Sequence, residues 1–477
     1  MSNLKINTTP FCSIIVLNYY GEQVIEATIE SLLKLNYPKT EYEIIVVDNN
    51  SQDNSKEILI KYSKQYPNIK LFFQNKNLGF SKGNNVGIKK AKGEFVALLN
   101  NDCIVEKNWL KELVKTATKD KKIFAVNSKI LLYPRFINIR FNINPRLVPV
   151  YPWLYKSNLY GELESRLFYL PLFKKSNYFQ IEVPYELYDD SVVKFKILFN
   201  SRGYKFENIS DLKNYITFEN KSLNVENVII KGDDIEYLIS FNLSERNIQK
   251  KSLDKVQNAG IMVFQDGYGR DIGAIVSANK QYHEYDLKQY DKEKEVYAAC
   301  GAAVLYNKKI LDKIGYLDES FFMYYEDVEI SERARFAGFK IVYSPRAVVR
   351  HHHALFSKEW SPFFIYHVEK GRLLHLYYNF PFRVFLLAYY RLLADSVFTL
   401  FIILFNLKNL IYRIQSKKND SGEPHFIRRM QIIKALVFFI IYSPFLFIRK
   451  FGYDQVRKKW AVDQNYLKIL KGDWYFS

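Results

Sequence analysis

The chain has 477 residues and a formal charge of +19, and 48% of its residues are hydrophobic and 17% aromatic. A single hydrophobic core stops growing at roughly 250 to 300 residues, so this length predicts two or three domains. Three widely spaced cysteines argue against a disulfide framework and a cysteine-based zinc site, and they favour a reducing compartment. The N-terminus lacks a basic region followed by a long apolar stretch, so we expect no secretory signal and a cytoplasmic catalytic part.

The first 130 residues alternate strand and helix patterns, as a doubly wound parallel α/β sheet requires. Short apolar runs predict strands at 13–17, 44–47, 70–73 and 95–99, and helices follow each of the first three. Ser51 or Asp53 is a candidate cap for the second helix, because a short side-chain oxygen accepts the unpaired amides of a first turn.

Polar side chains follow three of these predicted strands. Asn18 comes after the first, the segment 48–53 after the second, and the segment 100–102 after the fourth. In open parallel sheets ligands bind beyond the carboxyl ends of the strands. Each residue alone also fits a turn or a helix cap, but three such strand ends together favour a binding site.

The segment NLGFSKGNNVGI (77–88) places Gly79, Gly83 and Gly87 four residues apart. This spacing allows the backbone to approach a ligand closely, and it equally suits a helix packed tightly on a sheet. The segment does not match the dinucleotide fingerprint G-x-G-x-x-G, and no phosphate loop ending in Gly-Lys-Ser/Thr occurs.

A second informative segment, FFMYYEDVEISERARFAGFKIVYSP (321–345), contains the adjacent carboxylates Glu326 and Asp327. Such a pair can supply a general base. Glu329 and Arg333 are four residues apart, so a helix stabilised by ion pairs is the structural alternative for these carboxylates.

Residues 134–254 form a block that opens with proline and aromatic residues and then alternates apolar and polar positions, as at 193–199. The apolar runs on either side of 231–234 predict a hairpin. We expect an inserted small β-rich domain, whose role in glycan binding, protein contact or shielding stays open.

Residues 351–477 contain 19 Lys and Arg against 8 Asp and Glu, and therefore carry +11 of the total charge. Apolar segments at 382–405 and 432–448 are interrupted by charges or proline, and neither is a clean run of about 20 apolar residues. Basic residues flank both, which favours helices lying at a membrane surface. A soluble helical subdomain or a homo-oligomer interface is the alternative. No zinc, helix-turn-helix or RNA-reading motif accompanies the charge, so we expect no nucleic-acid partner.

Five segments carry a family resemblance: SIIVLNYYG, IIVVDNNSQDNS, NLGFSKGNNVGI, LLNNDCIV and the segment from CGAAVLYN to AVVRH. Taken in order, they resemble the family-2 glycosyltransferases of GT-A fold, especially their rhamnosyltransferase-like branch. The resemblance covers about 11–133 and 255–380. It implies a nucleotide-sugar-binding half at 1–133, an acceptor and catalytic half at 255–380, and a basic, aromatic, membrane-interfacial helical tail at 381–477.

The resemblance also implies roles for individual residues. Asn18, Asp48 and Asp53 would hold the nucleotide base and ribose, and Asn77, Gly83, Asn84 and Asn101 would line the nucleotide-sugar pocket. The usual Asp-x-Asp metal motif reads Asn100-Asn101-Asp102 here, so Asp102 would be the main acidic ligand. His351 would be the second ligand of a Mn²⁺ or Mg²⁺ ion, with His353 as the alternate. Histidines that only end a surface strand are the structural alternative. Asp327 would be the base and Glu326 would orient the acceptor.

The resulting expectation is an inverting glycosyltransferase at the inner face of the cell membrane, peripheral or monotopic. It would move a sugar from a nucleotide diphosphate donor to a lipid-linked or growing cell-surface glycan, and the branch resemblance makes rhamnose the candidate sugar. A nucleotidyltransferase on a similar sheet and a non-catalytic nucleotide- or glycan-binding protein are the alternatives.

Overall fold

The computed structural model describes residues 9–133, 136–143, 148–155, 178–184, 192–200, 216–218, 221–222, 224–231, 234–242, 252–264, 266–277, 280–352, 361–405 and 425–459. The chain forms two compact units. One comprises Met1–Leu131 together with Val256–Ser477, and the other comprises Leu132–Lys255.

The N-terminal half of the first unit is a parallel sheet with helices between its strands. Its strands are β1 (Cys12–Asn18), β2 (Tyr42–Asp48), β3 (Ile69–Phe73) and β4 (Phe95–Asn100), and its helices are α1 (Ile25–Leu33), α2 (Ser55–Gln65) and α3 (Gly79–Lys90). β1 pairs in parallel with β2 and β4, and β2 pairs in parallel with β3. Buried apolar residues cover both faces, as parallel sheets require.

Antiparallel strands extend this sheet beyond β4. The additional strands of the unit are β5 (Cys103–Val105), β6 (Ile123–Leu132), β16 (Lys255–Asn258), β17 (Ile261–Val263), β18 (Gly269–Asp271), β19 (Ala274–Ser277), β20 (Lys280–Tyr285), β21 (Lys294–Glu295), β22 (Ala303–Asn307) and β23 (Lys340–His351). The order is β19-β20-β16-β6-β22-β4-β1-β2-β3, and β23 pairs with β21, β5 and β6, whereas β17 and β18 form a separate ribbon. The α/β fold with a doubly wound parallel half is therefore confirmed.

The remaining helices of the first unit flank the sheet or follow it. They are a 3₁₀ helix (Lys39–Glu41), α4 (Trp109–Ala117), α5 (Lys308–Ile314), α6 (Glu326–Phe336), α7 (Pro362–Asn379), α8 (Phe382–Phe405) and α9 (His425–Lys459). Side chains of α6, α7, α8 and α9 share one apolar cluster, which also includes Ile261 and Val263 of β17.

One helix of the tail is long enough to bear on the membrane expectation. Within the described residues, Arg429–Ile448 is long and apolar enough to cross a membrane by length and composition, although core helices of soluble proteins pass the same test. The helix α9 continues through Pro444. A proline mid-helix removes one backbone hydrogen bond, and Phe439 and Leu446 on either side of Pro444 pack into the apolar cluster.

The second unit consists of β strands in its described parts. They are β7 (Phe136–Ile143), β8 (Val148–Tyr155), β9 (Tyr178–Pro184), β10 (Val192–Asn200), β11 (Ile216–Phe218), β12 (Lys221–Ser222), β13 (Asn224–Lys231), β14 (Asp234–Asn242) and β15 (Ser252–Leu253). They form a sheet of order β13-β14-β10-β8 and a second sheet built around β7. β13 and β14 pair antiparallel with Lys231 opposite Asp234, as a hairpin does.

Candidate active site

Asn18 ends β1 and lies at the centre of a buried hydrogen-bond network. Its Nδ2 donates to Asp48 Oδ2 at 2.8 Å, to Ser55 Oγ at 3.0 Å and to Ser51 Oγ at 3.3 Å. Its Oδ1 accepts from Asn101 Nδ2 at 3.1 Å. The ends of β1, β2 and β4 are therefore joined through one side chain, because parallel strands bring their carboxyl ends to the same edge of the sheet.

Asp48 and Asn18 are almost fully buried, and protein groups use their polar atoms. Asp48 Oδ1 accepts the amide of Ser51 at 3.0 Å. The structure thus gives both residues a clear part in shaping the loop after β2. Their contact with a nucleotide stays a prediction, and so does the ligand contact of Asn101.

Asp53 lies in the turn that leads into α2. Its Oδ2 accepts the amide of Glu22 at 2.9 Å, and its Oδ1 accepts the amide of Ser55 at 3.3 Å. Asp53 thus contacts a first-turn amide, whereas Asn54 is the residue at the cap position and makes no side-chain cap bond. Ser51 bonds the amide of Tyr20 instead of the helix.

The start of α3 brings Asn77 toward the loop after β2. Asn49 donates from Nδ2 to Asn77 Oδ1 and to the carbonyl oxygen of Gly79, both at 3.1 Å. Asn77 Oδ1 also accepts the amide of Gly79 at 2.8 Å. Asn77 is exposed, so its amide is accessible beside the polar ends of β1 and β2.

Two predicted pocket residues of α3 have packing roles in the structure. A Cβ on Gly83 would lie 2.5 Å from Leu17 Cδ1, so glycine allows α3 to pack closely on β1. Asn84 is buried and donates to the carbonyl oxygen of Phe80 at 3.0 Å, within its own helix. Ligand contacts of these two residues stay predictions.

Asp102 and His351 meet although 249 positions separate them in the chain. His351 is paired with Cys103 in the antiparallel register of β5 and β23. This register places His351 Nε2 at 3.1 Å from Asp102 Oδ1, and both side chains are buried. His353 lies outside the described residues. His351 ends its strand in the interior and not at the surface.

The chemistry of this pair fits a divalent cation. His351 Nδ1 lies 2.8 Å from Gln257 Oε1, and in the tautomer that carries its proton on Nδ1 the ring would donate to that oxygen and direct the lone pair of Nε2 toward Asp102. Asp102 Oδ1 accepts no hydrogen bond of good geometry from the described residues. Burial would raise the pKa of Asp102, but the imidazoles of His351 and His352 hold it below its ordinary value. A carboxylate oxygen of Asp102 and a ring nitrogen of His351 therefore lie together at this point.

Cys103 lies close to the same point, and its Sγ, a carboxylate oxygen of Asp102 and a ring nitrogen of His351 lie within 4.8 Å of one another. Burial raises the pKa of the Cys103 thiol well above its ordinary value, and the charge of Asp102 adds to the effect. A neutral thiol is a poor ligand, and Mg²⁺ and Mn²⁺ prefer oxygen and nitrogen. Asp102 and His351 are thus the protein ligands that fit.

Glu326 and Asp327 begin α6 and differ in their surroundings. Asp327 Oδ2 accepts the amide of Gly301 at 2.9 Å, and its Oδ1 accepts the amide of Val328 at 2.8 Å. Glu326 Oε2 is buried and accepts no hydrogen bond from the described part of the chain. The alternative role for these carboxylates, an ion pair that stabilises the helix, applies to Glu329, whose carboxylate lies 2.6 Å from Arg333.

This difference separates the proton affinities of the two carboxyl groups. Burial raises the pKa of Glu326 well above its usual range, and the charge of Asp327 raises it further. Burial also raises the pKa of Asp327, but the amide of Gly301 opposes that rise. The pair titrates as a unit. Of the two, Asp327 is better placed to hold a negative charge, because two backbone amides donate to its carboxylate.

The loop before this pair has unusual backbone geometry. Phe322, Tyr324 and Tyr325 have φ values of 64°, 66° and 71°, a left-handed conformation that costs roughly 1–3 kcal/mol at a non-glycine residue. The carbonyl oxygen of Phe322 accepts the amide of Phe80 at 2.6 Å. The start of α3 and the loop before Asp327 are therefore directly bonded.

The segment 300–302 connects the two halves of the site. The amide of Gly301 binds Asp327, and the carbonyl oxygen of Ala302 accepts the amide of Asn100 at 2.9 Å. The end of β4 and the start of α6 therefore flank one short segment. The structure brings the strand ends, the start of α3 and the carboxylate pair to this edge of the sheet.

Sequence reasoning missed three residues that organise the site, namely Asn49, Gln257 and Gly301. Asn49 lies inside a segment that the pattern did single out. Gly301 acts through its backbone amide, and Gln257 acts through a contact with His351. Neither interaction produces a recognisable pattern in the neighbouring sequence.

Comparison with known proteins identifies the family. The model of "Glycosyl transferase family 2" matches residues 13–169, and that of "Glycosyltransferase like family 2" matches residues 248–372. Together they span more than half of the chain.

Individual relatives share shorter or weaker matches. Glycosyltransferase AglE of Haloferax volcanii is 34% identical over 110 residues, which are 23% of this chain and 36% of that protein. Cholesterol galactosyltransferase of Borreliella burgdorferi is 25% identical over 311 residues, which are 54% of this chain and 85% of that protein. The mannosyltransferase PcManGT of Pyrobaculum calidifontis, solved with GDP-Man and Mn²⁺, has 12% identity and a TM-score of 0.41, covering 92% of this chain and 88% of that one. On the family models and the mixed sheet, the chain belongs to the family-2 glycosyltransferases and has the GT-A fold.

Proposed function

We propose that the protein is an inverting glycosyltransferase that uses a nucleotide diphosphate sugar. The observation that carries this proposal is the arrangement around 300–302, where Asp327 and the buried pair Asp102 and His351 belong to one edge of the sheet. A base and an anion-neutralising centre are the two requirements of such a transfer.

In the proposed reaction, the acceptor hydroxyl oxygen attacks the anomeric carbon of the donor. Its proton passes to a carboxylate oxygen of Asp327, and the bond from the anomeric carbon to the diphosphate oxygen breaks with its electron pair leaving on the diphosphate. Attack opposite to the leaving group inverts the configuration. The hydrogen bond from Gly301 orients Asp327, and Glu326 contributes a neutral carboxyl group beside it.

Asp102 and His351 would hold a divalent cation, Mn²⁺ or Mg²⁺. Such an ion, when bound, neutralises the charge of the leaving diphosphate. A single carboxylate and an imidazole leave the ion's other positions to diphosphate oxygens and water. The nitrogen ligand favours Mn²⁺ over Mg²⁺.

For the donor and acceptor, we propose a rhamnose nucleotide as the first candidate, because the ordered motifs resemble the rhamnosyltransferase-like branch. The acceptor would be a lipid-linked or growing cell-surface glycan. A relative that is named for galactosyl transfer to cholesterol supports a search that includes lipid acceptors.

A panel of nucleotide sugars tests the proposal directly. With Mn²⁺ present, the cognate donor should raise the melting temperature of the full chain, because a ligand that binds only the folded state stabilises it. The same donor should then release nucleoside diphosphate in the presence of acceptor. Release of pyrophosphate would indicate nucleotidyl transfer instead, and binding without any release would indicate a non-catalytic binder.

A membrane surface is the second proposed partner, and apolar side chains of α8 and α9 support it. Large apolar residues of both helices are exposed, with relative exposures between 39% and 69%: Phe382, Leu387, Tyr390, Leu393, Val397 and Phe398 on α8, and Val437, Ile440, Ile441, Tyr442, Phe445, Phe447 and Ile448 on α9. The surrounding region carries a net charge of +11. Apolar faces next to cations suit a bilayer that contains anionic lipids.

A vesicle-binding experiment tests this surface. Ile440→Ser combined with Ile441→Ser should weaken binding to vesicles of phosphatidylcholine and phosphatidylglycerol by at least about tenfold, because both side chains are 66% exposed and would enter the lipid. Leu287→Ser is the matched control, since Leu287 is 67% exposed and lies outside these helices. Unchanged vesicle binding together with loss of a dimer would assign the face to an interface between copies.

A further inference from the structure

Lys370 is a buried cation that the proposed reaction does not use directly. It lies on α7 with a relative exposure of 5%, and its Nζ donates to the carbonyl oxygen of Ser320 at 3.0 Å. Ser320 immediately precedes the segment 321–325 that leads to Asp327. Burying an ammonium group is costly, so its position demands a compensating partner or a function.

The helix α7 contacts the strained loop at several further points. The ring of His367 stacks on that of Phe322 with centroids 5.2 Å apart, and the ring of Phe364 lies 5.2 Å from that of Tyr324. A Cβ on Gly371 would approach the carbonyl oxygen of Tyr324 to 2.9 Å. The helix therefore holds the left-handed residues of the loop in place.

The charges around Lys370 connect it with the carboxylate pair. Burial lowers the pKa of Lys370 to about 8, whereas Asp318 and Glu326 act to raise it. These two carboxyl groups face the ammonium from the loop and from α6, and His367 faces it from its own helix. On the side of α9, the ring of Phe438 lies 5.3 Å from Nζ. Cys300 and Tyr306 also lie near the pair, and burial raises the pKa of both, so they stay neutral.

We propose that Lys370 is a positioning residue for the transfer: its ammonium anchors the loop before Asp327 and supplies the positive charge that keeps the Glu326 and Asp327 pair in its singly ionised form. This proposal rests on the proposed function, because it concerns the proposed base. It assigns to α7 a role beyond packing.

The expected effect has a definite sign. A positive charge beside Glu326 favours the loss of the first proton of the coupled pair, so removing that charge raises the pH at which the pair becomes singly ionised. The acid limb of the profile of kcat/KM against pH should therefore move to higher pH in Lys370→Gln and Lys370→Met, by about one pH unit. At the pH of the original limb, kcat/KM should fall about tenfold.

The experiment measures release of nucleoside diphosphate between pH 5 and 9, using the nucleotide sugar that stabilises the full chain most strongly. Lys370→Arg keeps the charge and should keep the acid limb within about 0.3 pH unit of the original. Lys370→Gln keeps a hydrogen-bond donor without the charge. Thermal stabilisation by the donor checks that each variant folds.

A merely structural role would lower activity without moving the acid limb. Acid limbs that coincide in Lys370→Gln and Lys370→Arg would overturn the proposal, even if Lys370→Met fails to fold. If the acid limbs coincide and Asp327→Asn is inactive in the same assay, the proposed base stands and only the role of Lys370 is rejected. Activity that survives Asp327→Asn would overturn both.

Discussion

Replacing Asp327 by asparagine should reduce sugar transfer by about 100- to 10,000-fold, the range that a general base contributes. Asparagine has nearly the same shape, and its carbonyl oxygen can still accept the amide of Gly301, so the fold and the loop should persist. The loss would therefore report the missing proton acceptor. Steady-state release of nucleoside diphosphate and donor-induced thermal stabilisation, measured on the same sample, separate catalysis from binding.

Asp312→Asn is a matched control for this change. Asp312 lies on α5, where its carboxylate binds Lys308, and its side chain is 46% exposed. The same chemical substitution there should leave transfer unchanged. Full transfer by Asp327→Asn would contradict the proposed mechanism, and equal losses in both variants would indicate a general effect of charge.

Replacing Asp102 by asparagine should raise the concentration of Mn²⁺ needed for half-maximal activity by about 100-fold or more. Loss of a supporting partner of a metal ligand already costs roughly 10- to 100-fold in affinity, and loss of the charged ligand itself should cost at least as much. Asp102 Oδ1 faces His351 Nε2, so the substitution removes the only carboxylate from the three candidate ligands that lie together. A titration of Mn²⁺ followed by electron paramagnetic resonance measures the change without relying on turnover.

Cys103→Ala provides the control for the metal prediction. The buried thiol lies within reach of the same point, but it stays protonated, so its removal should leave Mn²⁺ affinity unchanged within about threefold. Weaker Mn²⁺ binding by Cys103→Ala would add sulfur to the ligand set. Unaltered Mn²⁺ binding by Asp102→Asn would remove the proposed metal site.

Local pattern in the sequence was enough for the parallel half of the sheet. The predicted strand at 44–47 corresponds to Tyr42–Asp48, and the helix predicted to follow that strand corresponds to Ser55–Gln65. Apolar runs and helical periodicity depend on neighbours within a few residues, which the sequence displays directly. The polar strand ends followed from the same reasoning, because all parallel strands finish at one edge.

Contacts between distant segments required the tertiary structure. The approach of Asp102 to His351 depends on the register of β5 against β23, and the bond from Gly301 to Asp327 depends on where the segment before β22 crosses the sheet. The continuity of α9 through Pro444 is likewise visible only in the tertiary structure. Sequence alone therefore determined which residue types lie near each strand end, whereas the three-dimensional packing decided which of them meet. Strand register and helix packing are set by the free energy of the whole core. A local sequence pattern reports only on neighbouring residues and therefore does not determine them.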